Sequence, residues 1–122
     1  MGKRMALRDR QEKLFSSAAL VTLATKPVPP GKVHCVQHCS WETNKATGGG
    51  NYRARLYIAG HGYNHQLCEQ GTPQANISYT YDDEIWLIEG EQLALDLDQC
   101  AASTTIKMHC TGFWQHELEG VN

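Results

Sequence analysis

Apolar and polar residues alternate along much of residues 76–117, and this alternation constrains the fold more than any other feature of the sequence. A period of two is typical of a β-strand that has one buried face and one exposed face. The stretch therefore predicts three or four strands of a half-buried antiparallel sheet. The expected inward positions are Ile77, Tyr79, Tyr81, Leu93, Leu95, Leu97, Ile106, Met108 and Cys110.

The remaining sequence predicts further short strands separated by turn-forming residues. We expect strands in the latter half of 14–25, over 33–42 and 52–59, and a short one over 66–70. Proline and glycine place loops at 26–32, 43–51, 60–65 and 71–76. About eight strands and no long helix predict an all-β fold, an antiparallel β-sandwich of the jelly-roll type. We expect an N-terminal arm over 1–13 and one domain over 14–122.

Composition excludes several classes of function. The chain has 122 residues and a net charge of −2, so no overall positive field attracts nucleic acid. The apolar run at 18–24 is too short to span a membrane and does not resemble a signal peptide. Five cysteines, an odd number, argue against a disulfide framework. We therefore expect a protein of the reducing cytoplasm that contacts neither nucleic acid nor membrane.

A basic cluster near the N-terminus is interleaved with Asp9 and Glu12. This mixture favours a solvated terminal arm or helix over contact with an acidic partner surface. The candidate docking residues are Lys3, Arg4, Arg8, Arg10 and Lys13.

Histidines and cysteines between 34 and 39 suggest a zinc site, but their spacing argues against one. Cys35 and Cys39 share a face of the predicted strand, yet four residues at ~3.3 Å each separate them by ~13 Å. One ion cannot bind both without a bend in the strand. We therefore interpret these cysteines as small core residues and expect neither a metal nor a cofactor. The strand face that includes both cysteines is predicted to consist of Val33, Cys35, Gln37, Cys39 and Trp41.

No catalytic set is apparent in the sequence. His61 and His65 could act as general bases, but no nucleophile or orienting carboxylate can be assigned to them. We expect the 60–65 segment to be a hairpin turn with an exposed histidine, and the protein not to be an enzyme. A ligand, if one binds, is expected at loop residues and one aromatic side chain. These candidates are Asn44, Asn51, His61, Tyr63, His65 and Trp114.

Three groups of residues carry a resemblance to a known class of proteins. They are the proline-rich entry 28–33 followed by 41–44, the strand 53–58 before a glycine turn, and 85–91 together with 110–114. The chain resembles the small jelly-roll structural proteins of tailed bacteriophages, which include decoration (cement), spike-base and tail accessory proteins. Over residues 14–117 the arrangement is also similar to trimeric tumour-necrosis-factor-like and C1q-like jelly rolls.

The resemblance implies a non-enzymatic virion protein that is assembled in the host bacterial cytoplasm. Its partners would be further copies of itself, often a trimer in proteins of this class, and the major capsid or tail proteins. One alternative is a receptor- or carbohydrate-binding module of the same fold. Another is a cupin-like metal enzyme, although the histidines do not form the expected H-x-H cluster.

Overall fold

The computed structural model describes residues 3–15, 20–45, 53–98 and 103–117, and all of its regular elements are strands. They are β1 (Met5–Phe15), β2 (Val21–Ala24), β3 (Lys32–Thr43), β4 (Arg53–Gly60), β5 (Tyr63–Gly71), β6 (Tyr79–Tyr81), β7 (Ile85–Leu87), β8 (Gln92–Leu97) and β9 (Thr104–His116). In these ranges, no helix is long and apolar enough to cross a membrane.

The strands form two antiparallel sheets, which confirms the predicted all-β sandwich. The first sheet has the order β1-β9-β3-β6, and β7 also pairs with β3. The second sheet has the order β2-β8-β4-β5. Because β6 and β7 pair with successive parts of β3, they act as one interrupted strand. This strand order is compatible with a jelly roll.

The core lies between the two sheets and is built largely from the positions that the alternation predicted. Leu93, Leu95 and Leu97 of β8 are almost fully buried. The inward residues of β9, Ile106 and Met108 among them, are also buried. The strand predicted to include Ile77 differs from this pattern. It corresponds to β6, which begins only at Tyr79, and the Ile77 side chain remains 45% exposed.

A β-bulge in β3 changes which residues face the core. The register with β9 shifts between Val36 and His38, so that Gln37 has no partner on β9. Val36 and Cys39 therefore both belong to the cluster of buried hydrophobic residues that forms the core, whereas Cys35 does not. The predicted face that placed Cys35 with Cys39 is wrong because an extra residue between them reverses the alternation.

From Met5 onward, the N-terminal residues form a strand. Met5–Phe15 form β1, which pairs with β9 from Met5 opposite Trp114 to Phe15 opposite Thr104. Asp9 and Gln11 lie opposite the buried residues Cys110 and Met108, and are themselves half-buried. The segment expected to be an N-terminal arm over 1–13 is thus a paired strand from Met5 onward, because strand pairing orders the backbone whatever its side chains are.

The β4–β5 connection is shorter than predicted. Only His61 and Gly62 lie between the strands, with φ angles of 55° and 73°. Positive φ at both positions is the geometry of a tight two-residue hairpin, which glycine adopts without strain. Tyr63 and His65, which we predicted to lie in the turn, belong to β5.

Candidate interaction surfaces

The outer edge of β1 is the longest strand edge in the described part of the molecule. Its register with β9 is continuous over all eleven residues, and no strand of the described residues pairs with its other side. An edge strand of this kind presents unpaired N–H and C=O groups to solvent. Such an edge is a template for pairing with another strand.

Of the basic residues that the sequence singles out, Arg8, Arg10 and Lys13 lie on β1, on both of its faces, whereas Lys3 and Arg4 precede the strand. Arg8 and Arg10 pair with Thr111 and His109 and belong to the outer face of the sheet, as does Arg4, whose guanidinium lies 4.1 Å from the centre of the Phe113 ring. Lys13 lies on the core-facing side, opposite Ile106. The structure thus spreads these residues along one strand edge and does not gather them into a single basic patch.

A groove of about 520 Å³ crosses the outer face of the first sheet. Its polar lining includes Arg10, Glu12, Ser40, Glu42, Lys107 and His109. Cationic and anionic side chains occur in similar number, so the groove selects neither charge. His109 Nε2 is buried there and has no hydrogen-bond partner among the described residues.

An aromatic patch lies at one end of the same outer face. Trp86 and Phe113 flank Cys35 on the neighbouring strands, and their rings meet edge to face with centres 5.6 Å apart. Trp86 is 45% exposed, and its indole N–H donates to Glu84 Oε1 at 2.8 Å. Burial, with a smaller effect of Glu84, raises the pKa of the Cys35 thiol to about 11, so this cysteine is a poor nucleophile. The sequence alternation did not reveal this patch, because the β3 bulge creates it.

The predicted ligand residues are not brought together at one site. Asn44 accepts a hydrogen bond from the Thr105 N–H at one end of the sandwich. His61 lies at the other end, where its Nε2–H donates to the Glu89 carbonyl at 2.8 Å. Trp114 lies near the β3 residue Lys32, whose ammonium is 4.0 Å from the ring centre. Asn51 lies outside the described residues.

Tyr63 and His65 are neighbours on β5, with ring centres 6.5 Å apart. Both side chains are exposed. Among the contacts of the described residues, none joins either ring to Trp114 or Asn44. The ligand site proposed from sequence therefore stays a prediction, and its residues lie at opposite ends of the sandwich.

Two cysteines contact each other in the core. Cys39 and Cys110 are directly paired across β3 and β9, and Cys110 Sγ donates to Cys39 Sγ at 3.4 Å. This hydrogen bond and burial raise the pKa of the Cys110 thiol well above its ordinary value. Across the residues that the structure describes, no group of three or more His, Cys, Asp or Glu side chains could hold a metal ion.

A polar layer covers the outer face of the second sheet. Asp96 Oδ1 accepts hydrogen bonds from Thr22 Oγ1 at 2.7 Å and from the Tyr57 hydroxyl at 2.8 Å. Burial first, and Asp96 second, raise the pKa of Tyr57 to about 12. Beside them, Arg55 Nε donates to Glu69 Oε1 at 3.1 Å. The side chains satisfy one another, so this face is held together by its own contacts.

We expect the protein to lose stability as the pH falls, partly through His34. Burial, and secondarily the charge of Lys32, lower the pKa of His34 from its ordinary 6.5. The unfolded chain therefore takes up this proton before the folded chain does, and stability falls as the pH drops below about 6.5. Urea unfolding at about pH 7.5 and about pH 5.5 measures this loss, which we expect to be smaller in His34→Gln. An equal loss in both proteins would show that His34 does not contribute.

Comparisons with known proteins identify no family for the chain. Its sequence matches no protein-family model and no curated protein. Among solved structures, it is similar to the dimeric latent PorU of Porphyromonas gingivalis, with a TM-score of 0.51 and 10% identity, over 96% of this chain and 13% of that one. At this identity the likeness shows the fold alone.

Two further similarities are weaker. The disulfide-linked pili of Bacillus endospore appendages give a TM-score of 0.49 at 11% identity, over 98% of this chain and 92% of that one. A chain of the infectious bursal disease virus Gt strain gives a TM-score of 0.36 at 7% identity, over 98% of this chain and 33% of that one. Both TM-scores are below 0.5, so neither likeness carries an inference about function.

Proposed function

We propose that the chain is a non-enzymatic structural subunit that self-associates through its sheet edges. The observation that carries this proposal is the eleven-residue β1 edge, which pairs on one side only in the described structure. Natural proteins usually shorten, bend or cover such edges, because an open edge templates association. An edge that is long and free of bulges is best explained as an assembly surface.

The aromatic patch supports the same proposal. Trp86 and Ile88 are 45% and 54% exposed, and the Arg4 guanidinium covers the neighbouring Phe113 ring. Exposed aromatic side chains next to an arginine are enriched where proteins contact one another. The patch offers a second contact, separate from the β1 edge, for a partner of a different kind.

The more specific proposal follows from the resemblance of the sequence to bacteriophage structural proteins. The subunit would decorate or stabilise the capsid, or form part of the tail or spike, with the major capsid or tail proteins as partners. The aromatic patch that contains Trp86 and Phe113 is the surface that we assign to the capsid or tail proteins. Residues 5–13, which were expected to be part of a docking arm, lie in β1 and are assigned to self-association instead.

The virion proposal can be tested with particles from the natural host. We expect the chain to co-purify with phage particles through a density gradient, in a fixed ratio to the major capsid protein by quantitative mass spectrometry. Trp86→Ala should lower that ratio, whereas Tyr63→Ala, which truncates an exposed aromatic side chain on β5, should not. Particles that lack the chain would refute the virion proposal without affecting the proposal of self-association.

Deletion of residues 1–13 is not a suitable test of docking. The deletion would remove most of β1 and expose the paired edge of β9. The core-facing side of β1, including the half-buried Leu7, would be lost with it. We therefore expect such a truncated chain to be less stable, so that a loss of binding would not distinguish docking from misfolding.

A further inference from the structure

We propose that β1 pairs antiparallel with the β1 strand of a second copy, about a two-fold axis that passes beside Gln11. This inference rests on the proposed function, since it names the partner and the register for the edge described there. Each copy would add its first sheet to that of the other, and the two sheets would become continuous. The overlap would run from Leu7 to Phe15.

The charges along β1 select this register. In an antiparallel pair about a two-fold axis, the residue at the axis lies opposite its own copy. Between Arg8 and Lys13, every residue except Gln11 is charged, so any other centre in this range places like charges directly opposite each other. Like charges in that position are destabilising. A two-fold axis at Leu7 would place Arg10 opposite the partner's Arg4, which is again a pair of like charges.

With Gln11 at the axis, opposite charges meet on both faces. On the outer face, Arg10 lies opposite the partner's Glu12. On the core-facing side, Asp9 lies opposite the partner's Lys13, and Leu7 lies opposite the partner's Phe15. The two-fold axis generates each of these pairs twice. Opposite-charge and apolar cross-strand pairs of this kind stabilise antiparallel sheets.

The side chains that would form these pairs are available for them. Glu12 contacts Lys107 at 3.5 Å, and this ion pair is well exposed, so Glu12 can accept a second cation from the partner. No ion pair joins Arg10 to another side chain in the described ranges. Asp9 is oriented by hydrogen bonds from the Gln11 amide and the Lys26 backbone N–H.

The other long edge, β5, is less suited to strand addition. Its register with β4 shifts between Leu56 and Tyr57, and such a bulge twists an edge away from a flat partner. Its acidic residue Glu69 is already bound to Arg55 and lies 3.8 Å from Arg53. The contrast between the two edges favours β1 as the site of self-pairing.

Cysteine cross-linking tests the register directly. Gln11→Cys places a thiol opposite its own copy, with Cβ atoms about 5 Å apart, so mild oxidation should convert most of the protein to a covalent dimer. Ala6→Cys is the matched control, because the two copies of residue 6 would lie ten residues apart along the paired strands. Equal cross-linking of the two variants, beyond that of the natural chain, would overturn the register, as would no cross-linking of Gln11→Cys in a dimeric sample.

Charge exchange provides a second test. We expect Arg10→Glu, and separately Glu12→Arg, to raise the dimer dissociation constant in sedimentation velocity by about tenfold or more. The double variant R10E/E12R keeps the net charge of the natural chain and restores opposite charges across the axis. It should return the constant to within about threefold of the natural value.

The outcomes separate this inference from the proposed function. A natural chain that is monomeric at every concentration would overturn both. Oligomers whose dissociation constant is unchanged by either single exchange would overturn β1 pairing but leave self-association in place. Failure of the double variant to recover, with its fold intact by circular dichroism, would overturn the pairing of Arg10 with the partner's Glu12.

Discussion

Gly112→Ala is expected to destabilise the protein by about 3 kcal/mol, one of the largest effects of any single methyl group in this fold. A Cβ atom at Gly112 would lie 1.9 Å from the Cys35 carbonyl oxygen and 3.0 Å from the Gln37 nitrogen. Both contacts are with backbone, so no side-chain rotation can relieve them. The alanine can be accommodated only if β3 loses its bulge or moves away from β9.

Thermal and urea unfolding measure this effect, and we expect the melting temperature to fall by roughly 10 °C. Gly71→Ala is the matched control, because nothing lies within 4 Å of a Cβ atom built there. Its effect should stay within about 0.5 kcal/mol. Similar stabilities for the two variants would show that the close approach of β3 to β9 at the bulge is not present.

Leu95→Ala is expected to cost about 3 kcal/mol, within the usual range of 2–5 for a buried leucine. Leu95 is 1% exposed and lies in the middle of the second sheet, between Leu23 of β2 and Leu56 of β4. Truncation removes the transfer free energy of its methyl groups and leaves a cavity that strands on both sides prevent from closing.

The same substitution at an exposed position is the control for Leu95→Ala. Leu20 is 59% exposed, so Leu20→Ala should change the free energy of unfolding by less than about 0.5 kcal/mol. Chemical denaturation of both variants gives the comparison. Equal losses would contradict the assignment of β8 as the central strand of the core.

The strands of the core could be predicted because burial on one face leaves a clear alternation. Leu93, Leu95 and Leu97 are almost fully buried, as their spacing indicates. The β3 bulge could not be predicted in the same way. It depends on the register with β9 and on the absence of a side chain at Gly112, and neither is visible in the sequence of β3 itself.

Strand β1 was not predicted from the sequence, for a different reason. β1 lies at the edge of its sheet, and its core-facing positions include Asp9, Gln11 and Lys13 as well as Leu7. Polar residues at inward positions remove the alternation from which strands are recognised. The charged residues of this segment were therefore expected in an N-terminal arm, whereas from Met5 onward they lie in a paired strand.

The candidate surfaces were only partly accessible from sequence. The basic residues near the N-terminus were singled out, but Trp86 was not among the candidate residues. It is exposed because it lies opposite Cys35, on the outer side of the bulged strand. Long-range pairing decides which aromatic side chains reach the surface, and the pattern within one strand does not.

Amide hydrogen exchange at two protein concentrations tests the central claim, that the β1 edge is an assembly surface, most directly. We predict that amides of Met5–Phe15 which point away from β9 exchange rapidly in dilute samples and slow markedly in concentrated ones. Amides of β5, the other long edge, should exchange at the same rate in both samples and serve as the internal control. Exchange in β1 that does not depend on concentration, in samples that span the range of self-association, would contradict the account.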